Sequence, residues 1–248
     1  MSEETNTSTT APPLLTPIYH KTDEDMPWPD DPVFFLLAKN SLYLCRNHPY
    51  LKSCVEAPNF PCELKEQKAF LDLDYPRLPR RLFELAVGFC TRIYELHRSE
   101  AGLLIILNQA TGKMRLLCPK QIATVSKGKY GTWPIGLKYD IPPLAEDEIL
   151  IGDLHSHGDE PAYHSATDNA DTAAQAGTIH IVVGRCGDVL IGKNPDLYIE
   201  LVIDGTRFKV PWQQAIEGYK KARMNVPQEW IDSVEVKANT NTIYYTGN

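Results

Sequence analysis

Apolar and polar residues alternate along this chain in short strand-like runs, interrupted by one long helical period. That period is RRLFELAVGFCTRIYELH after Pro79, where Leu82, Ala86, Phe89, Cys90, Ile93 and Leu96 recur every three or four residues. The spacing predicts an amphipathic helix with Arg80, Glu84, Thr91 and Arg92 mostly on its wet side. Upstream, VFFLLAKNSLYLCRN reads as two strands about a turn at Lys39-Asn40. Downstream, AGLLIILNQATGKMRLLCP predicts two strands around NQATGK, and the Gly- and Pro-bearing stretch from Ser126 to Glu148 predicts one weak strand and a loop. ILIGDLHSH predicts a strand, and SATDNADTAAQAG a helix stopped by Gly177. TIHIVVGR, DVLIGKN, LYIELVID and TRFKV predict further strands. PWQQAIEGYKKAR predicts a last helix with Trp212, Ile216, Tyr219 and Arg223 on one face.

Helix, hairpin, strand, helix and more strands is the order of an α/β domain. The expected division is a disordered acidic tail over 1–30, a small N-terminal α/β subdomain over 31–78 and a main domain over 79–210. A C-terminal helical segment over 211–237 and a flexible tail over 238–248 complete it. At 43% hydrophobic and 23% charged residues, the chain can bury a sizeable core. A net charge of −7 without a Lys/Arg-rich block argues against nucleic acid as a partner. The six cysteines contain no C-x-x-C pair, which removes a cysteine zinc ribbon or a redox dithiol. MSEETNTSTTAPP lacks the form of a signal peptide, and VFFLLA and GLLIIL are too short to span a bilayer. The expectation is a cytoplasmic protein with reduced thiols and no membrane partner.

Candidate chemistry concentrates in LIGDLHSHGDEPAYHSATDNAD, residues 150–171, which holds three of the seven histidines. His155 and His157 are two apart on a strand, so their imidazoles share a face and suit two nitrogen ligands on one ion. Ser165 and Asp168 stand one turn apart at a helix start, where Asp168 can add an oxygen ligand. Two His and one carboxylate leave a fourth position to water, the pattern of a catalytic zinc site. Ser-x-x-Asp alone also resembles a helix cap. Asp153 shares the strand face of the histidines and is the better candidate, over Asp159, for steering one of them. His180 reads as a packed strand residue, and His164 as an exposed loop residue or a substrate contact.

HSHGDEPAYHSATD resembles the signature of the JAMM (MPN-plus, or JAB) metalloproteases: an upstream Glu, then H-S-H, seven residues, Ser, two residues and Asp. The GDLHSHG, SATDNAD and GTIHIVVG wording is most similar to the bacterial branch near PRTRC system protein A and the JAB peptidases of bacterial ubiquitin-like conjugation (Bil-type) operons. The resemblance runs from about Pro79 to Val210. It departs at Gly158, where many members have Pro, a change expected to loosen the loop without removing a ligand. It implies a JAB/MPN, cytidine-deaminase-like fold with a mixed sheet flanked by helices. It further implies Zn²⁺ held by His155, His157 and Asp168, a glutamate base, and an oxyanion-stabilising hydroxyl at Ser165. Glu100, just before an apolar run, is the expected base, whereas Glu95 lies a turn earlier on the amphipathic helix as a solvated residue.

The implied activity is that of an isopeptidase or peptidase cutting after the C-terminal tail of a ubiquitin-like protein. The implied partners are that protein, its conjugates and its activating and conjugating enzymes, in a setting of anti-phage defence. Trp133 and Tyr139 in the Gly/Pro-bearing segment, with His164, are the substrate-contact candidates. Competing readings are a catalytically silent MPN scaffold and a JAB peptidase that trims a sulfur-carrier protein. The complete ligand set stands against the first.

Overall fold

The computed structural model describes residues 15–129, 131–163 and 177–239, and the chain divides between Ala69 and Phe70 into two units. In the first, the run around Lys39-Asn40 forms strands β2 (Val33–Leu37) and β3 (Leu42–His48). β1 (Ile18–His20) and β4 (Leu51–Glu56) extend them into a sheet of order β1-β2-β3-β4. Phe34, Leu36 and Cys45 form its core, with Tyr19, Met26, Trp28 and Tyr43 packed against them.

Three expectations change here. Every described element of this unit is a strand, so the subdomain is not α/β. LKEQKAF is rich in helix formers, but Leu64 and Phe70 are exposed, and a short helix without an apolar face to bury is not stable. The stretch expected as a loose tail contains β1, whose residues pair in parallel with Phe35–Leu37 of β2. The boundary also falls earlier than residue 78, because Leu71, Leu73 and Leu78 pack into the core of the second unit.

That second unit is built on a mixed sheet of order β12-β11-β10-β9-β5-β6. Its strands are β5 (Gly102–Asn108), β6 (Met114–Leu117), β9 (Glu148–Ser156), β10 (Ile179–Gly184), β11 (Asp196–Ile203) and β12 (Thr206–Lys209). β9 and β10 are parallel and the other neighbours antiparallel. Register sets the chemistry of each face, because side chains alternate along a strand. Leu103, Leu154, Ile181 and Ile199 form one row across four strands and join the core with helix α1 (Arg80–His97). The next row is Leu104, Asp153, His180 and Glu200, which projects to the opposite face and is polar.

A second sheet, of order β13-β7-β8, carries β7 (Gln121–Gly128), β8 (Gly131–Tyr139) and β13 (Val234–Asn239). The stretch from Ser126 to Glu148 holds the end of β7, the whole of β8 and the loop after it, so the one expected strand is present and pairs with β7 as a hairpin. The Gln121 side-chain amide docks this sheet to the first, accepting from Gly102 N (2.8 Å) and donating to Gly102 O (3.0 Å).

Helix α1 departs from its expected amphipathic face: Glu84 and Thr91 are buried and Leu96 is 44% exposed. At Glu84 the cause is a strap of chain over the back of the helix, and at Thr91 it is a side-chain contact with Cys186. Lys220 N donates to Glu84 Oε1 (3.0 Å) and Arg223 N to the Glu84 carbonyl (2.8 Å). A Cβ at residue 88 would come 2.0 Å from the Arg223 carbonyl oxygen, so the crossing requires Gly88.

DVLIGKN is not a strand either. Arg185 adopts a left-handed conformation and starts a short helix, α2 (Cys186–Leu190). The strap accounts for the last correction: PWQQAIEGYKKAR makes only one turn, α3 (Trp212–Ala215), before Ile216 turns extended. There Ile216 is buried and bridges Leu78. The segment expected to be helical then contributes α4 (Gln228–Asp232) and β13, whose strand runs on to Asn239 beside β7. Among the described residues no helix is long and apolar enough to cross a membrane.

Candidate metal centre

β9 is pinned at its C-terminal end from both sides. His155 lies in register with Gly102 of β5 and Val182 of β10. Ser156 N donates to the Ala101 carbonyl (3.0 Å), Ser156 Oγ accepts from Ala101 N (3.1 Å), and His157 N donates to the Val183 carbonyl (2.9 Å). The rings of His155 and His157 consequently lie 5.4 Å apart, centroid to centroid. A tetrahedral zinc ion about 2.1 Å from one nitrogen of each ring holds two imidazole centroids about 5 Å apart. The pair therefore fits a single ion. Tyr163 stands edge-on to His157 at 4.7 Å.

The loop after the histidines is tied down along its length. Cys186 N donates to the Gly158 carbonyl (2.9 Å), Arg185 N to the Glu160 carbonyl (2.9 Å) and Gly187 N to Asp159 Oδ1 (3.0 Å). Gly158 has φ +58°, a conformation closed to proline, whose ring fixes φ near −65°. Glycine at this place thus shapes the loop and does not loosen it. Asp159 serves the first turn of α2, leaving Asp153 as the carboxylate beside the histidines.

Asp153 is buried, with Oδ2 2.9 Å from His180 Nδ1 and Oδ1 3.7 Å from His155 Nδ1. Burial works to raise its pKa, but the imidazoles of His155 and His180 outweigh burial and bring the carboxyl down to about 2. On its far side His180 Nε2 lies 3.1 Å from Thr178 Oγ1. Thr178 and His180 were legible only as strand residues; the signal that finds them is the β9–β10 register, which no local pattern contains.

Glu100 immediately precedes the Ala101–Ser156 contact. It lies two residues before β5, whose first residue, Gly102, is in register with His155. Glu95, by contrast, is an exposed helix residue paired with Arg92. Ser165, Asp168 and His164 lie outside the described residues, as does most of the helix expected to carry them. Among the described residues, no three His, Cys, Asp or Glu side chains form a metal-binding group. His155 and His157 are the expected ligands that lie among the described residues.

Of the substrate-contact candidates, the Tyr139 ring lies over Gly102, and with Gln121, Leu137 and Asp153 it lines an open cavity of about 1500 Å³. Trp133 sits farther along β8, 44% exposed, with its ring covering Gly128.

Residues 97–199 match the family of prokaryotic homologs of the JAB domain. The match begins at the end of α1 and stops in β11. It encloses Glu100, Asp153, His155, His157 and His180 together with Ser165 and Asp168. It is narrower than the Pro79–Val210 span over which the wording resembles JAMM proteins. No curated protein matches the chain.

Proposed function

We propose that this chain is a zinc-dependent JAMM-type isopeptidase or peptidase that cuts after the C-terminal tail of a ubiquitin-like protein, trimming a precursor or releasing the modifier from its targets. One observation carries the reading: two imidazoles lie 5.4 Å apart at the C-terminal end of β9, inside the segment that matches JAB homologs. His155, His157 and Asp168 would hold the zinc ion, which supplies Lewis acidity to a water and to a scissile carbonyl. Glu100 accepts the proton of the attacking water and returns it to the leaving amine. The Ser165 hydroxyl donates a hydrogen bond to the oxyanion that develops on the carbonyl.

β8 lies at one edge of its sheet, so an extended tail can add to it as a further strand through backbone hydrogen bonds. Tyr139, Trp133 and His164 are then its side-chain contacts. The cytidine-deaminase-like arrangement belongs to the same reading. So do a cytoplasmic setting beside activating and conjugating enzymes and a role in phage defence, all of which rest on the resemblance to bacterial ubiquitin-like conjugation operons.

The test is a fusion of a bacterial ubiquitin-like modifier, through its C-terminal tail, to a reporter. Release should stop with a zinc chelator. Glu100→Gln should lower turnover by at least about 10²-fold while zinc, measured by atomic absorption, stays at the wild-type level. Asp168→Asn should instead lose zinc. Release that survives chelation, or full turnover in Glu100→Gln, overturns the assignment.

A further inference from the structure

The polar row behind the histidine pair has an order of its own. Asp153 and His180 are Cα partners across parallel strands β9 and β10, 7% and 3% exposed respectively. A carboxylate buried to that degree needs donors. As an anion it only accepts, so the 2.9 Å contact to Asp153 Oδ2 places a proton on His180 Nδ1. On its other side His180 Nε2 lies 3.1 Å from the Thr178 hydroxyl. With Oδ2 engaged, Oδ1 is buried without a hydrogen-bond partner among the described residues and is the oxygen turned to His155 Nδ1, 3.7 Å away, a gap that a small shift of the ring closes.

We propose that His180 is a positioning residue: anchored by Thr178, it fixes Asp153 so that Oδ1 holds His155 in its Nδ1–H tautomer and directs Nε2 to the metal centre. A carboxylate left without the His180 bond can rotate about its side-chain torsions, and His155 then loses its preference between tautomers. Carboxylates that orient a ligand histidine in this way typically change metal affinity by about 10–100-fold. The purpose of the chain Thr178–His180–Asp153–His155 rests on the metal-centre reading above, but the tautomer is a property of the metal-free protein and can be measured without it.

The experiment uses the full chain, ¹⁵N-labelled and stripped of metal, with a long-range ¹H–¹⁵N spectrum of the histidines and a separate zinc titration. The wild type should show His155 as the Nδ1–H tautomer. His180→Leu should leave a tautomer mixture and weaken zinc about 10–100-fold. His180→Gln, which can still donate to Asp153, should restore most of both. Should His180→Leu fail to fold, Thr178→Val tests the same chain from its far end, with a smaller shift in the same direction. An Nε2–H tautomer in the wild type, or an unchanged His155 and zinc affinity in folded His180→Leu, overturns the proposal. If His155 responds to His180→Leu while the wild type takes up no zinc, the positioning role stands and the metal-centre reading falls.

Discussion

At the scale of single residues, the backbone around His157 is the sharpest constraint. Gly158 holds φ +58° and offers its carbonyl to Cys186 N, so the proline common in similar signatures cannot occupy this place. Gly158→Pro is expected to destabilise the protein by about 3 kcal/mol and to lower zinc retention. Urea midpoints and the metal content of purified protein check the two effects; a neutral substitution would mean that the loop is held by something other than this conformation. The histidine pair itself was readable, because side chains two apart on a strand share a face whatever the rest of the fold does. His180 was not. Its partner Asp153 lies 27 residues away, and only strand pairing shows that a packed residue is also a polar one.

Elements show where local periodicity stops being sufficient. The period after Pro79 did become a helix, yet Glu84 and Thr91 were expected to be mostly wet and are buried: residues 217–224 cross α1 at Gly88 and cover Glu84, while the Thr91 side chain meets Cys186 of α2. Gly88→Val should place its side chain into the Arg223 carbonyl and cost about 1–3 kcal/mol, seen as a lower urea midpoint at unchanged m-value. A second element-scale contact spans the sheet. Arg115 of β6 makes two 2.7 Å bonds to Glu148 of β9, which hold the Glu148 carboxyl below the usual carboxylate range. A depressed carboxyl stabilises the fold above its unfolded pKa of about 4.3 and loses that contribution as pH falls through its folded value. The stability gap between wild type and Arg115→Gln, read from melting temperatures, should therefore be open at neutral pH and close on acidification below about pH 4. A gap independent of pH would assign the effect to packing of the arginine stem.

For the whole molecule, each unit has its own buried cluster. A chain starting at Phe70 is expected to melt within about 4 °C of the larger unit's transition in the full protein, a shift that calorimetry resolves. A much larger fall would show that the first unit contributes to the second unit's stability. The residue order alone determined the helix after Pro79, the hairpin around Lys39-Asn40 and the strand that ends in two histidines, since each follows from neighbours within a few positions. Tertiary structure alone decided that β10 lies against β9 and places His180 on Asp153. It also decided that residues 217–224 cross α1 where a helix was expected. Those outcomes depend on burial and backbone pairing shared between segments far apart in the chain, and no local pattern encodes which distant surface will be there to meet it.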